Sequence, residues 1–506
     1  MNTSCHLLFD ISGRPSMNAR HTLLPLMIAA TLVARCETAQ SRSWQEQVAT
    51  PFDDPLLARP PQLEEGKLLP GDSTVHACSD QNGGANTPLM LADAIDLALC
   101  HHPQIKGAWA RIKVQAAQAG EARAAYLPAI HAGLRYQQEQ TRQPEALLPL
   151  ESRRRTRSQY YMLTWRLLDF GTRNANLRSA DALLEAALAS HDAVLQKTMA
   201  GVIAAYYEVQ ISGANRQTRE RNETLAHAIL QATQRRAARG MAAQSDLLQV
   251  QTALSKAELE HARAIGQYEK SLVTLSIALG LQGRSMTLHL PPTDTESVTN
   301  TIQLSQELER WRETAQQQHP ALVAARAQLA AAREKLTATR SEGLPSLDFS
   351  HGYYVNGRPN QGSAGSQTRE AVTGLVLNIP LFDGFSHTYK VRNAQAQTDL
   401  REAELLETEA QVLGELANAF ADTQSALRNL ASSQRLLESA RTALENVQRK
   451  YERGLSDLLD ILNVQAALAD ASQERIRALA EWHSARLRLL ASAGELGRTR
   501  IAEHSQ

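Results

Sequence analysis

The sequence predicts a membrane α+β protein made from two copies of one unit, each a strand pair followed by a long helical hairpin. Three observations carry this. The chain repeats itself at an offset of 214 residues (453 − 239), four segments alternate apolar and polar residues, and two proline-free stretches are each 67 residues long. A register held over that distance marks a duplication rather than chance similarity.

The repeat is read from matched residues. Arg239-Gly240 followed by Asp246 to Leu254 matches Arg453-Gly454 followed by Asp460 to Leu468. Leu167-Leu168-Asp169 matches Leu381-Phe382-Asp383, and Gly280 matches Gly494. Upstream, His102-Pro103 and Leu127-Pro128 recur as His319-Pro320 and Leu344-Pro345. The expected organisation is a signal peptide at 1–36, an irregular arm at 37–88, repeats at 89–290 and 291–496, and a tail at 497–506.

Taken in order, the stretch from Thr22 to Val33 is apolar but too short to span a bilayer, the size of an export signal's core. Met17 offers a second start, and Ala34-Arg35-Cys36 or Ala39 a cleavage site. Arg35 before Cys36 disfavours lipidation. The arm is rich in Pro, Gly, Asp and Gln. Beyond the signal lie Cys78 and Cys100, which an oxidising compartment permits either to pair or to stay free.

Each repeat then starts with a helix, expected over Leu91 to Ala125 and roughly Ile302 to Ser341. Alternating segments follow. Ile130, Ala132, Leu134 and Tyr136 form one apolar set, and Tyr161, Leu163, Trp165 and Leu167 the next. In the second copy the sets are Leu347, Phe349, His351, Tyr353 and Val355, then Ala371, Thr373, Leu375, Leu377 and Ile379. About ten residues with one lipid face and one wet face is the signature of a tilted transmembrane strand. The connections read as polar loops, the first bearing Arg153, Arg154, Arg155 and Arg157, a solvated extracellular run with a second reading as a contact for lipid phosphates.

Helices from Thr172 to Ala238 and Ser386 to Glu452 follow, each reaching about 100 Å at 1.5 Å per residue. Coiled-coil intervals are expected to bury Leu177, Ala180, Leu184 and Ala187, and likewise Leu405, Val412 and Ala419. Shorter helices return from Ser245 to Gly280 and Leu459 to Gly494, with Gly240 or Gly454 in the turn.

Four strands cannot close a barrel, and an open edge in lipid leaves N–H and C=O groups unsatisfied. Sister chains must complete the sheet. Two copies give a barrel filled by side chains, whereas three give twelve strands around a hole. The parts therefore predict a homotrimer: a 12-stranded barrel in the outer membrane joined to an α-helical tunnel in the periplasm.

These residues resemble the TolC-type outer-membrane efflux proteins over about residues 89 to 496. The resemblance rests on Leu127-Pro128 and Leu344-Pro345, on Leu168-Asp169-Phe170-Gly171 and Ile379 to Gly384, and on Arg239 to Gln251 and Tyr451 to Gln465. It implies a passive exit duct working with a periplasmic membrane-fusion adaptor and an inner-membrane ABC or proton-driven transporter. By position, Arg239, Gly240, Met241, Arg453, Gly454, Leu455 and Ser456 correspond to the tips that adaptors meet. Asp246, Asp460 and Tyr451 correspond to the periplasmic gate. Ser456 stands where better-known members carry a gate arginine, and Asn463 where they carry a second acid, departures that disfavour an arginine-centred lock and imply a thinner acidic ring. The unlipidated members include exporters of proteins, which favours type I secretion. A drug or metal pump component is the alternative, and a pore-free periplasmic scaffold the alternative of another class.

Composition removes other classes. Basic and acidic residues number 53 each, so there is no electrostatic case for nucleic acid. Hydrophobic residues make up 43% but aromatics 5%, a mixture suited to helices packed through Ala and Leu. No phosphate loop, zinc spacing or nucleophile elbow is found, so no enzyme, cofactor or metal is expected. Cys100-His101-His102 reads as structural, because adjacent helical residues cannot face one ion.

Overall fold

The computed structural model describes residues 89–143, 150–240, 243–281, 304–356, 368–453, 455–456 and 458–497. The expected signal at 1–36, the whole of the arm at 37–88 with Cys78, and the tail beyond residue 497 lie outside these residues.

Each repeat has the same order. In the first, α1 (Leu91–His101) and α2 (Pro103–Ala124) precede β1 (Ala129–Gln143), β2 (Leu150–Leu168), α3 (Thr172–Ala238) and α4 (Gln244–Ala278). The second has α5 (Leu304–Gln318), α6 (Pro320–Ser341), β3 (Ser346–Val355), β4 (Arg369–Asn378), α7 (Ser386–Glu452) and α8 (Leu458–Ser492). The two long helices keep the bounds read from the sequence.

The first helix of each repeat does not run through as expected. It breaks at His102-Pro103 and at His319-Pro320. Proline has no N–H to continue the ladder and pushes its predecessor into extended backbone, here ψ 124° at His102 and ψ 126° at His319. Each histidine then serves as N-cap, its Nδ1 accepting the N–H of Gln104 or Ala321 at 3.3 Å.

The sheet is a meander, β1-β2-β3-β4, antiparallel throughout, with a bulge between Arg166 and Leu168. Register divides it into two faces. Ile130, Leu163, His351 and Thr373 lie opposite one another, as do Ala132, Tyr161, Tyr353 and Ala371. Trp165, Phe349 and Leu375 continue this apolar face, where Ile130 is 71% exposed. The other face carries His131, Arg135, Thr164, Arg166, Asp348 and Ser350. On that wet face Tyr160 lies between Gly133 and Tyr354, and the ring of Tyr160 fills the space that a Cβ on Gly133 would need.

The connection between β1 and β2 is shorter than expected. Arg153 to Arg157 belong to β2, paired with Gln140 to Tyr136, rather than to a loop. Strand continues through this polar stretch because the ladder satisfies the backbone whatever the side chains.

The helical core sits around the middle of α3. Leu195, Met199, Val202, Ile203, Tyr206 and Val209 pack with Leu91 and Ile95 of α1, Leu275 of α4 and Leu487 of α8. Tyr206 donates to Leu89 O at 3.1 Å, and burial raises the phenols of Tyr206 and Tyr207, the latter to about 12. Nearer the sheet, α3 buries Ala175, Ser179, Ala186 and Ala189 against its neighbours, whereas Leu177, Ala180, Leu184 and Ala187 are half-buried. The close seam thus falls on the smallest side chains, which allow helix axes to approach. On α7, Val412 is buried as expected, and Leu405 and Ala419 are half-buried.

Candidate functional site

Two places in each repeat carry the elements that would make a conduit: the joint between strand and long helix, and the turn at the far end of the hairpin.

At the first joint Phe170 and Gly171 both take positive φ (51° and 98°), as Gly384 and Phe385 do at the second (66° and 67°). Two successive left-handed residues turn the chain from sheet into helix. Phe170 and Phe385 carry strain that glycine would avoid. An aspartate holds each turn. Asp169 accepts the N–H of Arg173 at 2.9 Å and of Gly171 at 3.3 Å, and Asp383 accepts the N–H of His387 at 2.6 Å. Arg173 extends the first joint: its guanidinium donates to Asp169 at 2.9 Å, to Arg166 O at 2.7 Å and to Leu167 O at 3.2 Å, and lies over the Tyr126 ring. Trp165 Nε1 donates to Tyr126 O at 2.9 Å, locking the base of β2 to the end of α2. Sequence reading singled out Asp169 but missed Arg173. The i,i+4 spacing of the two was the available signal.

At the tips, α3 ends with Arg239 as C-cap and Gly240 at φ 71°, whose N–H bonds Ala237 O at 2.9 Å. In the second repeat Leu455 N–H returns to Lys450 O at 2.8 Å, the six-residue closure of a Schellman turn. Leu455 is 74% exposed at its apex, and Arg239 and Arg453 are exposed as well. Met241 and Gly454 lie outside the described residues, and Tyr451 falls in the last turn of α7.

Asp246 and Asp460 each open a returning helix. Asp246 accepts the N–H of Ala243 at 3.2 Å and the hydroxyl of Ser245 at 3.3 Å, and Asp460 accepts the hydroxyl of Ser456 at 2.8 Å. Both stand in the first turn, where the helix dipole favours negative charge. Ser456, expected from the resemblance to stand in the place of a gate arginine, is thus a hydrogen-bond partner of Asp460. Above the tips, Arg219 of α3 ties the two repeats together. It bonds Glu260 of α4 at 2.9 Å and Gln473 of α8 at 2.9 Å.

The three neighbouring residues Cys100, His101 and His102 are used separately. Cys100 is disulfide-bonded, His101 Nδ1 meets Leu97 O at 3.1 Å, and His102 caps α2. Of the arginine run, Arg155 and Arg157 are exposed on β2, and Arg153 and Arg154 are placed by backbone register alone.

No described helix is long and apolar enough to cross a membrane, and the lipid-compatible surface is the outer face of the sheet. A four-stranded sheet with an apolar outer face, mounted on helices of 67 residues, defines a membrane channel subunit with a helical tunnel. Residues 94–281 and 311–495 match the family described as OEP, outer membrane efflux protein, and the chain belongs to that family. It is 35% identical over 416 residues to Protein CyaE of Bordetella pertussis, covering 82% of this chain and 85% of that protein. Among solved structures it resembles the outer-membrane channel OprN, at 22% identity and a TM-score of 0.67 over 80% of this chain and 90% of that one. It also resembles the Campylobacter jejuni CmeC outer membrane channel, at 17% identity and a TM-score of 0.67 over 82% and 89%. The protein is therefore an outer-membrane channel component, its barrel in the outer membrane and its helical part in the periplasm.

Proposed function

We propose that three copies close a twelve-stranded barrel and form a passive exit duct, without catalysis or cofactor of its own, for type I protein secretion. The observation that carries the assembly is the pair of open edges, β1 and β4, on a sheet with an apolar outer face. Neither edge can face lipid unpaired, and in an up-and-down order β4 of one copy meets β1 of the next antiparallel. Energy then comes from an inner-membrane ABC or proton-driven transporter, coupled through a membrane-fusion adaptor at the tips. Exposed Leu455, Arg239 and Arg453 suit such a contact. Asp246, Asp460 and Tyr451 are the proposed gate. Rings of aspartate in a narrow entrance favour cations and bind multivalent ones.

Protein cargo is supported by the higher identity to Protein CyaE, 35% against 17–22% for the solved channels, and by Arg35 before Cys36, which disfavours lipidation. Comparing secreted proteins and drug sensitivity between wild-type and deletion strains tests the cargo. Loss of a secreted protein is expected. An unchanged secretome with altered drug or metal sensitivity would assign the duct to an efflux pump. A purified chain that is monomeric without detergent and passes no current across a planar bilayer would leave a periplasmic scaffold.

A further inference from the structure

The outward face of the sheet changes character abruptly towards its extracellular end. Below, it is Ile130, Leu134, Tyr161 and Trp165, all exposed. Above Tyr136 it becomes Gln138 and Gln140 on β1, Arg157 and Arg155 on β2, and Arg369 on β4. Register sets these on one side. Tyr136 lies opposite Arg157, Gln138 opposite Arg155, and Gln159, two residues from Arg157, is linked through Val355 to Arg369. All three arginines are exposed, and among the described residues no carboxylate pairs with them. The acids nearby sit elsewhere: Glu370 takes the wet face, and Glu151 lies farther up, in register with Arg142.

Their height is informative. From Leu167 to Arg157 the strand advances about 33 Å, or about 25 Å along the membrane normal at a usual strand tilt, which is the height of a barrel's apolar band. The base of that band is fixed by the joints to α3 and α7, so Arg155, Arg157 and Arg369 stand at the headgroup level of the outer leaflet. Tyr136, 66% exposed, sits at the boundary where an aromatic girdle belongs. A guanidinium binds phosphate through two parallel N–H groups, and exposed arginines beside acyl chains, with no described carboxylate against them, match a phosphorylated lipid.

We propose that Arg155, Arg157 and Arg369 form an outward-facing site for the phosphates of the outer-leaflet glycolipid, lipid A, gripping the barrel's upper rim. This deepens the membrane-spanning reading and rests on it.

The test uses the purified full-length oligomer in nanodiscs of phosphatidylethanolamine with or without lipid A, read as the temperature at which the oligomer dissociates on a gel. Lipid A should raise that temperature for the wild type. The rise should vanish in R155Q/R157Q/R369Q and persist in R135Q, which removes one charge from the wet face of β1. A full rise in the triple variant would overturn the proposal, as would an equal rise with phosphatidylglycerol or with inorganic phosphate. If the triple variant forms no heat-modifiable barrel, R155Q and R157Q singly decide by the same criterion. Conductance of each variant in a planar bilayer reports barrel integrity separately, so loss of lipid binding and loss of the channel are distinguishable.

Discussion

The guanidinium of Arg173 lies 2.9 Å from the carboxylate of Asp169, with the two side chains only 13% and 11% exposed. The pair bolts the first strand–helix joint, because Arg173 also reaches two carbonyls at the end of β2. Among the described residues the second joint shows no such bolt: Asp383 holds the N–H of His387, and His387 packs over Gly343.

That asymmetry predicts unequal effects. Asp169→Ala leaves a largely buried guanidinium without its partner and should destabilise by about 3 kcal/mol. Asp383→Ala removes a helix cap and should lose about 1 kcal/mol. Thermal dissociation of the oligomer should fall further for the first variant.

Gly280 and Gly494 end the returning helices at φ 75° and 77°, each against the His-Pro break of its own repeat. A Cβ at Gly280 would stand 2.8 Å from the backbone of His101 and His102, whereas at Gly494 the nearest atom is Pro320 Cδ at 3.2 Å. Left-handed backbone alone makes alanine unfavourable by about 1–2 kcal/mol at either site. Gly280→Ala should lose more than Gly494→Ala, since rigid backbone must also shift. Chemical denaturation midpoints check the order.

His102 and His319 cap their helices through an unprotonated Nδ1, and burial lowers the pKa of both, Glu415 partly opposing this at His319. Below the ordinary histidine pKa of 6.5 the unfolded chain binds protons that the native caps refuse, so stability falls with pH from there down to the lowered native values. His319→Asn, which keeps a cap acceptor without titrating, should flatten the slope of melting temperature against pH below 6.5. An unaltered slope would remove His319 from the account.

Asp246→Asn and Asp460→Asn retain an oxygen for the caps at Ala243 and Ser456 but remove charge. If the two line a narrow entrance, the double variant should lose cation preference and block by multivalent cations in single-channel recordings, with thermal stability changed by less than about 1 kcal/mol. Unaltered selectivity would reduce both residues to caps.

Ile130 stands about midway along the apolar face, opposite Leu163, and His131 on the wet face beside it. Ile130→Arg should oppose insertion by about 2–4 kcal/mol, whereas His131→Arg should be tolerated. Recovery of heat-modifiable oligomer from outer membranes measures this.

Local chemistry was legible in the chain itself. The bounds of α3 and α7, the glycine-ended helices and the two-residue alternation of the strands follow from proline, glycine and side-chain periodicity acting within a few residues. The His-Pro breaks were written there too, though helical periodicity on both sides hid them. What only the tertiary structure decided depends on residues far apart in sequence. Arg153 to Arg157 became strand because β1 offered ladder partners, and Gly280 met His102 because α4 folds back onto the start of its repeat. The seam of α3 fell on Ala175, Ser179, Ala186 and Ala189 because its neighbours came close enough to demand small side chains, a distance no one-dimensional pattern encodes.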